Sequence, residues 1–445
     1  MSIPYVLHFE VFGDTLHFRP RAAQFALDEQ ELMGSNDLPP IRELLSQIRP
    51  TTYSFCLNLI DSCNLRCDYC FNSEKSGRAI KVSDAIRHLE NLFSLFPNGE
   101  KYIVDLSGKG EPLIVLKPIV QIARWCHQKQ DKIQKEVLVQ FVSNGTLLSP
   151  AIAKVLQAEG ILFGVSLDGN KTTHDKHRKT KKGSPTFDCI LNNLHSIKNR
   201  DYVGCASTIT RDVFPLLETV KDLLKTFKTI SFRPVRGSMR INEESSVAWQ
   251  KEYERLTKAL FEDSLQNDDS MFLALMNGDD YFGRFLCRAF GGQITINRCD
   301  GGIARFSVDN DGTIYPCSAA VKTELIIAKD PRESSDAMIR KQSLSCENCP
   351  FKFHCGGECL VELSYLGGPS SPMCELKKKM IVLANWLERK ILAENYPFHE
   401  KISNFVEEKM KRFSKNEELH LFIKEHPEMS FTTAKRVFDQ INKKY

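Results

Sequence analysis

Three cysteines stand within eight residues, in the order Asp61-Ser62-Cys63-Asn64-Leu65-Arg66-Cys67-Asp68-Tyr69-Cys70. Thiolates are the usual protein ligands of iron–sulfur clusters and of zinc. The spacing is C-x3-C-x2-C, and it follows directly on the apolar run Phe55-Cys56-Leu57-Asn58-Leu59-Ile60. Structural metal sites are closed by four protein ligands, whereas catalytic ones keep a position open. No fourth thiol follows at a suitable spacing, so a cluster held by Cys63, Cys67 and Cys70 would leave one iron open. A zinc loop, or a chance grouping in a cysteine-rich chain, is the plainer alternative.

Four short polar motifs follow. The first is Ser107-Gly108-Lys109-Gly110-Glu111-Pro112, where glycines let backbone groups approach a ligand closely. Next come Ser143-Asn144-Gly145-Thr146 and Ser166-Leu167-Asp168-Gly169. Their hydroxyl, amide and carboxylate groups suit ribose hydroxyls and an amino-acid carboxylate, although Asn-Gly and Asp-Gly are also favoured turn dipeptides. In His174-Asp175-Lys176-His177-Arg178, the arginine offers a bidentate partner for a carboxylate, or is one charge of the basic run Lys176–Lys182.

The elements that must position these groups alternate. Strand patterns fall at Phe55–Leu59, Tyr102–Leu106, Val137–Val142, Ile161–Ser166, Gly204–Ile209 and Thr229–Arg233. Helical periodicity falls between them, at Val82–Leu95, Leu116–Lys129, Ser149–Ala158, Phe187–Ile197 and Phe214–Phe227. This alternation predicts a parallel sheet flanked by helices, and six units make a partial (β/α)6 TIM-like barrel in the α/β class. Each polar motif falls just after a strand, at the carboxyl end where such barrels place their sites.

A second cysteine system runs through Cys299, Tyr315-Pro316-Cys317, Cys346, Cys349, Cys355, Cys359 and Cys374. Four closely spaced thiols would by themselves suggest zinc.

The C-x3-C-x-aromatic-C loop, with Tyr69 at its aromatic position, resembles the defining motif of the radical S-adenosylmethionine (radical SAM) enzymes. The Gly108–Pro112 stretch resembles that family's G-G-E-P loop, with Lys109 where a glycine is commoner. Residues 174–178 resemble the H-D-x-x-R stretch of SAM-dependent peptide maturases. The later cysteines match the order of the SPASM extension, found in maturases of sulfatases, peptide natural products and quinone cofactors. The resemblance runs from Ser54 to about Leu376.

It implies three 4Fe-4S clusters. Cys63, Cys67 and Cys70 would hold the catalytic one, whose open iron takes SAM. Tyr69, Gly108, Gly110, Glu111, Ser143, Asn144, Ser166, Asp168 and Arg178 would line the SAM site. Cys346, Cys349, Cys355 and Cys374 would hold an outer auxiliary cluster, and Cys299, Cys317 and Cys359 an inner one. Some relatives add a fourth inner thiol soon after the first, but Gly301–Val308 contains none. Either Cys287 reaches back or the inner cluster keeps an open iron. Cys56, Cys126, Cys189 and Cys205 lie in strand or helix patterns and are expected in the core.

At 445 residues the chain suggests two or three domains. The expected division is a hairpin and short helix (1–50), the barrel (51–237), a helical connector (238–298), the auxiliary-cluster domain (299–376) and a helical C-terminal tail (377–445). The hairpin at Tyr5–Phe18 and a helix at Ile41–Ile48 read as a cap on the barrel, or as part of a leader-peptide grip. Glu243–Leu265 reads as a surface helix, and the acidic groups at 267–269 and 278–280 as solvated turns. Met380–Leu392 carries an apolar stripe expected to dock on the clusters or barrel. The region from Glu400 to Tyr445, with its scattered phenylalanines, reads as short packed helices or a peptide-docking surface.

A net charge of +4 points to no nucleic acid, and no apolar run is long enough to span a membrane. Clustered thiols and an N-terminus without an apolar h-region point to the cytoplasm. The expected function is oxidative crosslinking, by thioether or carbon–carbon bond, of a ribosomally made precursor peptide, with a flavodoxin- or ferredoxin-type electron donor. The alternatives are a sulfatase-type maturase forming formylglycine on a protein serine or cysteine, and a non-catalytic iron–sulfur electron carrier.

Overall fold

Two apolar periods, one of two residues and one of 3.6, build most of the chain. The computed structural model describes residues 6–414, apart from 34, 41–42, 45–49, 71, 73–76, 199, 201, 279, 322 and 328–345. Leu7–Val11 (β1), Asp14–Arg19 (β2) and Gln24–Ala26 (β3) form a three-stranded antiparallel sheet. Its first turn is Phe12-Gly13, both at positive φ, the backbone of a two-residue hairpin loop. Most of the helix expected at Ile41–Ile48 lies outside the described residues.

The main sheet begins with Thr52–Leu57 (β4), Lys101–Asp105 (β5) and Glu136–Ser143 (β6). Leu162–Ser166 (β7), Gly204–Ile209 (β8) and Ile230–Pro234 (β9) continue it, and all six are parallel. Helices Val82–Leu95 (α1), Leu116–Ile133 (α2), Pro150–Ala158 (α3), Lys171–His177 (α4), Phe187–His195 (α5) and Leu216–Leu224 (α6) alternate with them. In α1 the buried residues Ala85, Leu89, Leu92 and Phe93 recur at helical spacing and seal one face of the sheet. Cys56, Cys126 and Cys205 are buried as expected, but Cys189 is exposed, on the solvent side of α5 beside the buried Ile190.

The connector folds as Glu243–Leu265 (α7), Ser270–Asn277 (α8) and Tyr281–Phe290 (α9). Helix α7 is not merely a surface helix: it buries Trp249, Tyr253, Leu256 and Leu260. Nor is Asp280 a solvated turn residue. It is buried, and its carboxylate accepts from Phe232 N at 2.7 Å and Gly283 N at 2.7 Å, which ties α9 to β9.

Two strands of the second cysteine segment enlarge the sheet beyond the expected six. Arg305–Val308 (β10) runs parallel to β4, with Ser307 opposite Cys56, and Ile314–Tyr315 (β11) pairs antiparallel to β10. The order is β11-β10-β4-β5-β6-β7-β8-β9, open at both ends. After Leu360–Leu366 (α10), the chain ends its described part in Ser371–Glu394 (α11) and Tyr396–Ser414 (α12). The boundary expected at 376/377 falls inside α11. This helix docks mainly on α7 and α9, rather than on the barrel. Most of the stretch from Glu400 onward, including Phe422, Phe431 and Phe438, lies outside the described residues.

The N-terminal sheet does not cap the barrel strands either; it packs on α11 and the auxiliary segment. Phe18 stacks on Phe25 at 4.1 Å and meets Phe351 at 5.2 Å, while Phe12 sits 4.8 Å from Trp386. Asp14 accepts from Trp386 Nε1 at 2.9 Å and Lys390 Nζ at 3.1 Å. Phe18 is fully buried, so Phe18→Ala should cost about 3–5 kcal/mol of local stability. Amide exchange should quicken in β1–β3 and around Phe351 while β5 and β6 keep their protection. Uniform loss across the main sheet would contradict this division.

Candidate active site

The cysteine loop leaves β4 and is pinned from two sides. On one side Glu111 N donates to Ser62 O at 2.9 Å. The approach there is so close that a Cβ on Gly110 would lie 2.2 Å from Ser62 O and 2.4 Å from Ile60 O, so only glycine fits. On the other side Arg66 N donates to Lys179 O at 2.8 Å and Asp68 N to His177 O at 3.2 Å. Leu65 anchors the loop in the core, and the thiols of Cys63, Cys67 and Cys70 are half-buried. Burial pushes the Cys67 thiol up to about 11, with Arg178 acting in the opposite direction.

Glu111 is buried at the end of the β5 loop, and its carboxylate is committed to the protein. It accepts from Ser143 Oγ at 2.7 Å, Asn144 N at 2.7 Å and Leu113 N at 3.1 Å. Burial raises its pKa, and the three donors partly offset that. Asn144 in turn donates from Nδ2 to Asn64 Oδ1 at 2.8 Å and lies 3.7 Å from Cys63 Sγ. Glu111, Ser143 and Asn144 therefore lock β5, β6 and the cysteine loop into one unit. Lys109, at the position usually held by glycine, is buried and pairs with Asp309 at 3.5 Å. Asn58 Nδ2 reaches the same carboxylate at 3.2 Å, so the loop is tethered to the end of β10.

Asp168 and Arg178, both expected as ligand contacts, are paired with each other. Arg178 Nε donates to Asp168 Oδ2 at 2.7 Å, the Tyr69 hydroxyl donates to the same oxygen, and Thr208 N donates to Oδ1 at 2.7 Å. The Arg178 guanidinium also lies 5.5 Å from the Tyr69 ring. The surrounding motif builds this pair. His174 Nδ1 accepts from Asp168 N at 3.2 Å, leaving Nε2 to donate to Thr186 Oγ at 3.0 Å. Burial pulls the His174 pKa down to about 4, consistent with that neutral tautomer. Asp175 accepts from the backbone of Thr186 and Phe187, both at 2.9 Å. Ser166 ends β7 and is half-buried.

The later cysteines gather in two sets. Cys317 lies within electrostatic reach of Cys299 and Cys359, and Cys374 of Cys346 and Cys355, with Cys349 beside Cys355. Burial raises the Cys359 pKa, but Arg236 and Arg298 outweigh it and bring the thiol to about 7. Cys287 stands apart: its thiol faces Met276 O at 3.6 Å and Lys409 Nζ at 3.9 Å, among the charges of Asp280, Arg284 and Arg288. No three of these thiols converge within 4.8 Å, and the group that does so among the described residues is His8, His17 and Glu29. A tetrahedral zinc with Zn–S near 2.3 Å brings its sulfurs to about 3.8 Å from one another. Wider sets suit a multi-iron cluster, in which each thiolate binds a different iron.

Seven strands, β4 to β10, line a single cavity of about 1030 Å³ on the inner side of the curved sheet. Its lining runs from Ser107 and Gly108, past the end of β5, to Asp300 and Ser318, the sequence neighbours of Cys299 and Cys317. Of the described cysteines, Cys205 and Cys287 line it.

A parallel sheet bearing a three-thiol loop and glycine-rich strand ends defines the radical SAM class, and residues 57–230 match the radical SAM superfamily model. The chain carries a radical SAM domain. It is similar to the serine-type anaerobic sulfatase-maturating enzyme of Klebsiella aerogenes, 19% identical over 69% of this chain and 79% of the relative. The cysteine-type enzyme of Clostridium novyi (strain NT) is 26% identical over 67% of this chain and 85% of its own. Among solved structures, "Native anSMEcpe with bound AdoMet and Cp18Cys peptide" shares the fold, with a TM-score of 0.58 at 17% identity, covering 80% of this chain and 99% of that one. That domain brings SAM and an iron–sulfur cluster as cofactors. The spread thiols at the barrel's carboxyl end, and the backbone approach that only Gly110 permits, fit that pair.

The Asp168–Arg178 pair generates a prediction. Asp168→Asn leaves a buried guanidinium without its counter-charge and should cost about 3–5 kcal/mol. Adding Arg178→Met should recover part of that loss, read by denaturant melts of the two variants. Burial alone would raise the Asp168 pKa, but Arg178 outweighs it and holds the carboxyl below its ordinary value. The pair's contribution is therefore full above about pH 3.9 and is lost only as pH falls through the lower folded value. An acid melt of Asp168→Asn should lack that component; identical acid midpoints would reject it.

Proposed function

We propose that this chain is a peptide maturase that closes an intramolecular thioether or carbon–carbon crosslink in a ribosomally made precursor. Cys63, Cys67 and Cys70 would hold the cluster that, together with SAM, would supply the radical chemistry needed to remove one hydrogen atom from the peptide. Closing the bond would release a further proton and one electron, and the two later thiol sets would hold the clusters suited to accept that electron. A flavodoxin- or ferredoxin-type donor reduces the first cluster. Gly108, Gly110, Ser143, Asn144, Ser166 and Tyr69 would line the SAM site. Glu111, Asp168 and Arg178 act by fixing the strand ends on which those groups sit.

The observation that carries this reading is the arrangement of ten thiols in three separate sets, the inner with three members. Cys287 lies among other partners, which supports an inner cluster with an iron open to a peptide thiolate. The enclosure is large enough for a peptide segment. A second reading, formylglycine formation on a protein serine or cysteine, is favoured by the activity in the names of the sulfatase-maturating relatives.

The triple variant Cys63→Ala/Cys67→Ala/Cys70→Ala should make no 5′-deoxyadenosine on reduction, and its iron should fall by one cluster's worth while the auxiliary clusters remain. Continued 5′-deoxyadenosine formation would overturn the site. Wild-type product separates the two readings by mass spectrometry. A crosslinked peptide has lost two hydrogens and ignores hydrazide reagents, whereas formylglycine is an aldehyde that they capture.

A further inference from the structure

Between the two auxiliary thiol sets the chain reads Cys355-Gly356-Gly357-Glu358-Cys359. Gly356 lies so close to the neighbouring strand of chain that a Cβ there would meet Asn297 C at 2.5 Å. Glu358 is thereby carried into the interior next to Arg298. Its carboxylate accepts from Arg298 Nη1 at 3.2 Å through Oε1 and from Lys377 Nζ at 3.1 Å through Oε2. Cys359 N donates to Oε1 at 2.8 Å as well. Lys377 and Glu358 are each 1% exposed. The Tyr281 ring lies against both cations, 4.6 Å from Arg298 and 5.8 Å from Lys377.

The network is lopsided in a way that identifies its purpose. Lys377 faces the Cys355 and Cys374 thiols, while Arg298 faces Cys359 and Cys299. Arg236, half-buried, adds a third cation against Cys359, Cys317 and Cys299. Arg236, Arg298 and Lys377 stand against Glu358 and Glu362, with Arg240 at the exposed edge of the same small cavity, so positive charge is in excess. A buried surplus of positive charge is costly unless anions sit beside it. Thiolates and the clusters they hold are those anions.

We propose that Arg298, Glu358 and Lys377 form a charge bridge that sets the reduction potentials of the two auxiliary clusters jointly. This rests on the reading of the two thiol sets as cluster sites. Each reduction adds one electron and no atoms to a 4Fe-4S cluster and makes it one unit more negative. A fixed cation beside it stabilises the reduced form and raises its potential, and hydrogen bonds and net charge are known levers on that quantity. Lys377 raises the outer cluster, Arg298 with Arg236 raises the inner, and the shared Glu358 restrains both.

The test uses the full chain with its clusters, titrated anaerobically with a chemical reductant and followed by electron paramagnetic resonance, with iron counted on every sample. Lys377→Met should move the outer midpoint to more negative potential and leave the inner less changed. Lys377→Arg, which keeps the charge, should titrate close to wild type. Glu358→Gln should move both midpoints to more positive potential. Full iron with unmoved midpoints in Lys377→Met and Glu358→Gln would overturn the bridge. So would loss of an auxiliary cluster in both variants, since the network would then only hold a cluster in place. Wild-type protein with fewer than three clusters would reject the thiol assignment itself and the bridge with it.

Discussion

One buried carboxylate organises the carboxyl end of the barrel. Glu111 accepts three hydrogen bonds, from the β5 loop itself and from both Ser143 and Asn144 at the end of β6. Burying a charge is tolerable only where donors surround it, so β5 and β6 must end in register for the site to exist. Through Asn144 the same constraint reaches Asn64 and Cys63, and through Lys109 and Asp309 it reaches β10. The cysteine loop is therefore not a flexible ligand-bearing flap. It is braced against strand ends that have no freedom to move separately.

Much of this was legible in the sequence because it rests on local period. Val82–Leu95 and Glu243–Leu265 form helices over the bounds their apolar spacing predicts, and Gly204–Ile209 is a strand over its whole expected run. The glycine-rich and Asn-Gly motifs fall at strand ends, as alternation requires. Spacing alone does not divide the later thiols: Cys359 is four residues from Cys355, yet it lies with Cys299 in reach of Cys317.

What sequence spacing does not reveal is which surface meets which. Nothing around Arg305–Val308 indicates that it completes a sheet begun at β4, because parallel pairing carries no turn signal. Arg178 sits in a basic run that looks solvated, yet Asp168 claims it across the end of β7. Lys377 looks like one of three adjacent surface lysines, and only the tertiary fold singles it out for Glu358. Cys189 shows the converse: a thiol in an apolar helix pattern can still fall on the outer face. In each case the deciding partner is remote, and remote partners leave little trace in local composition.

The attachment of the N-terminal sheet to α11 sets a schedule for synthesis. Asp14 and Trp386 are 372 residues apart in the chain. At about 5–20 residues per second a ribosome takes on the order of tens of seconds to deliver the second after the first. Throughout that interval Phe9, Phe12 and Phe18 lack the aromatic surfaces that later cover them, and a three-stranded sheet with an open edge is a poor thing to leave waiting. The hairpin made first thus reaches its final place among the last, after the cysteines of both systems have emerged.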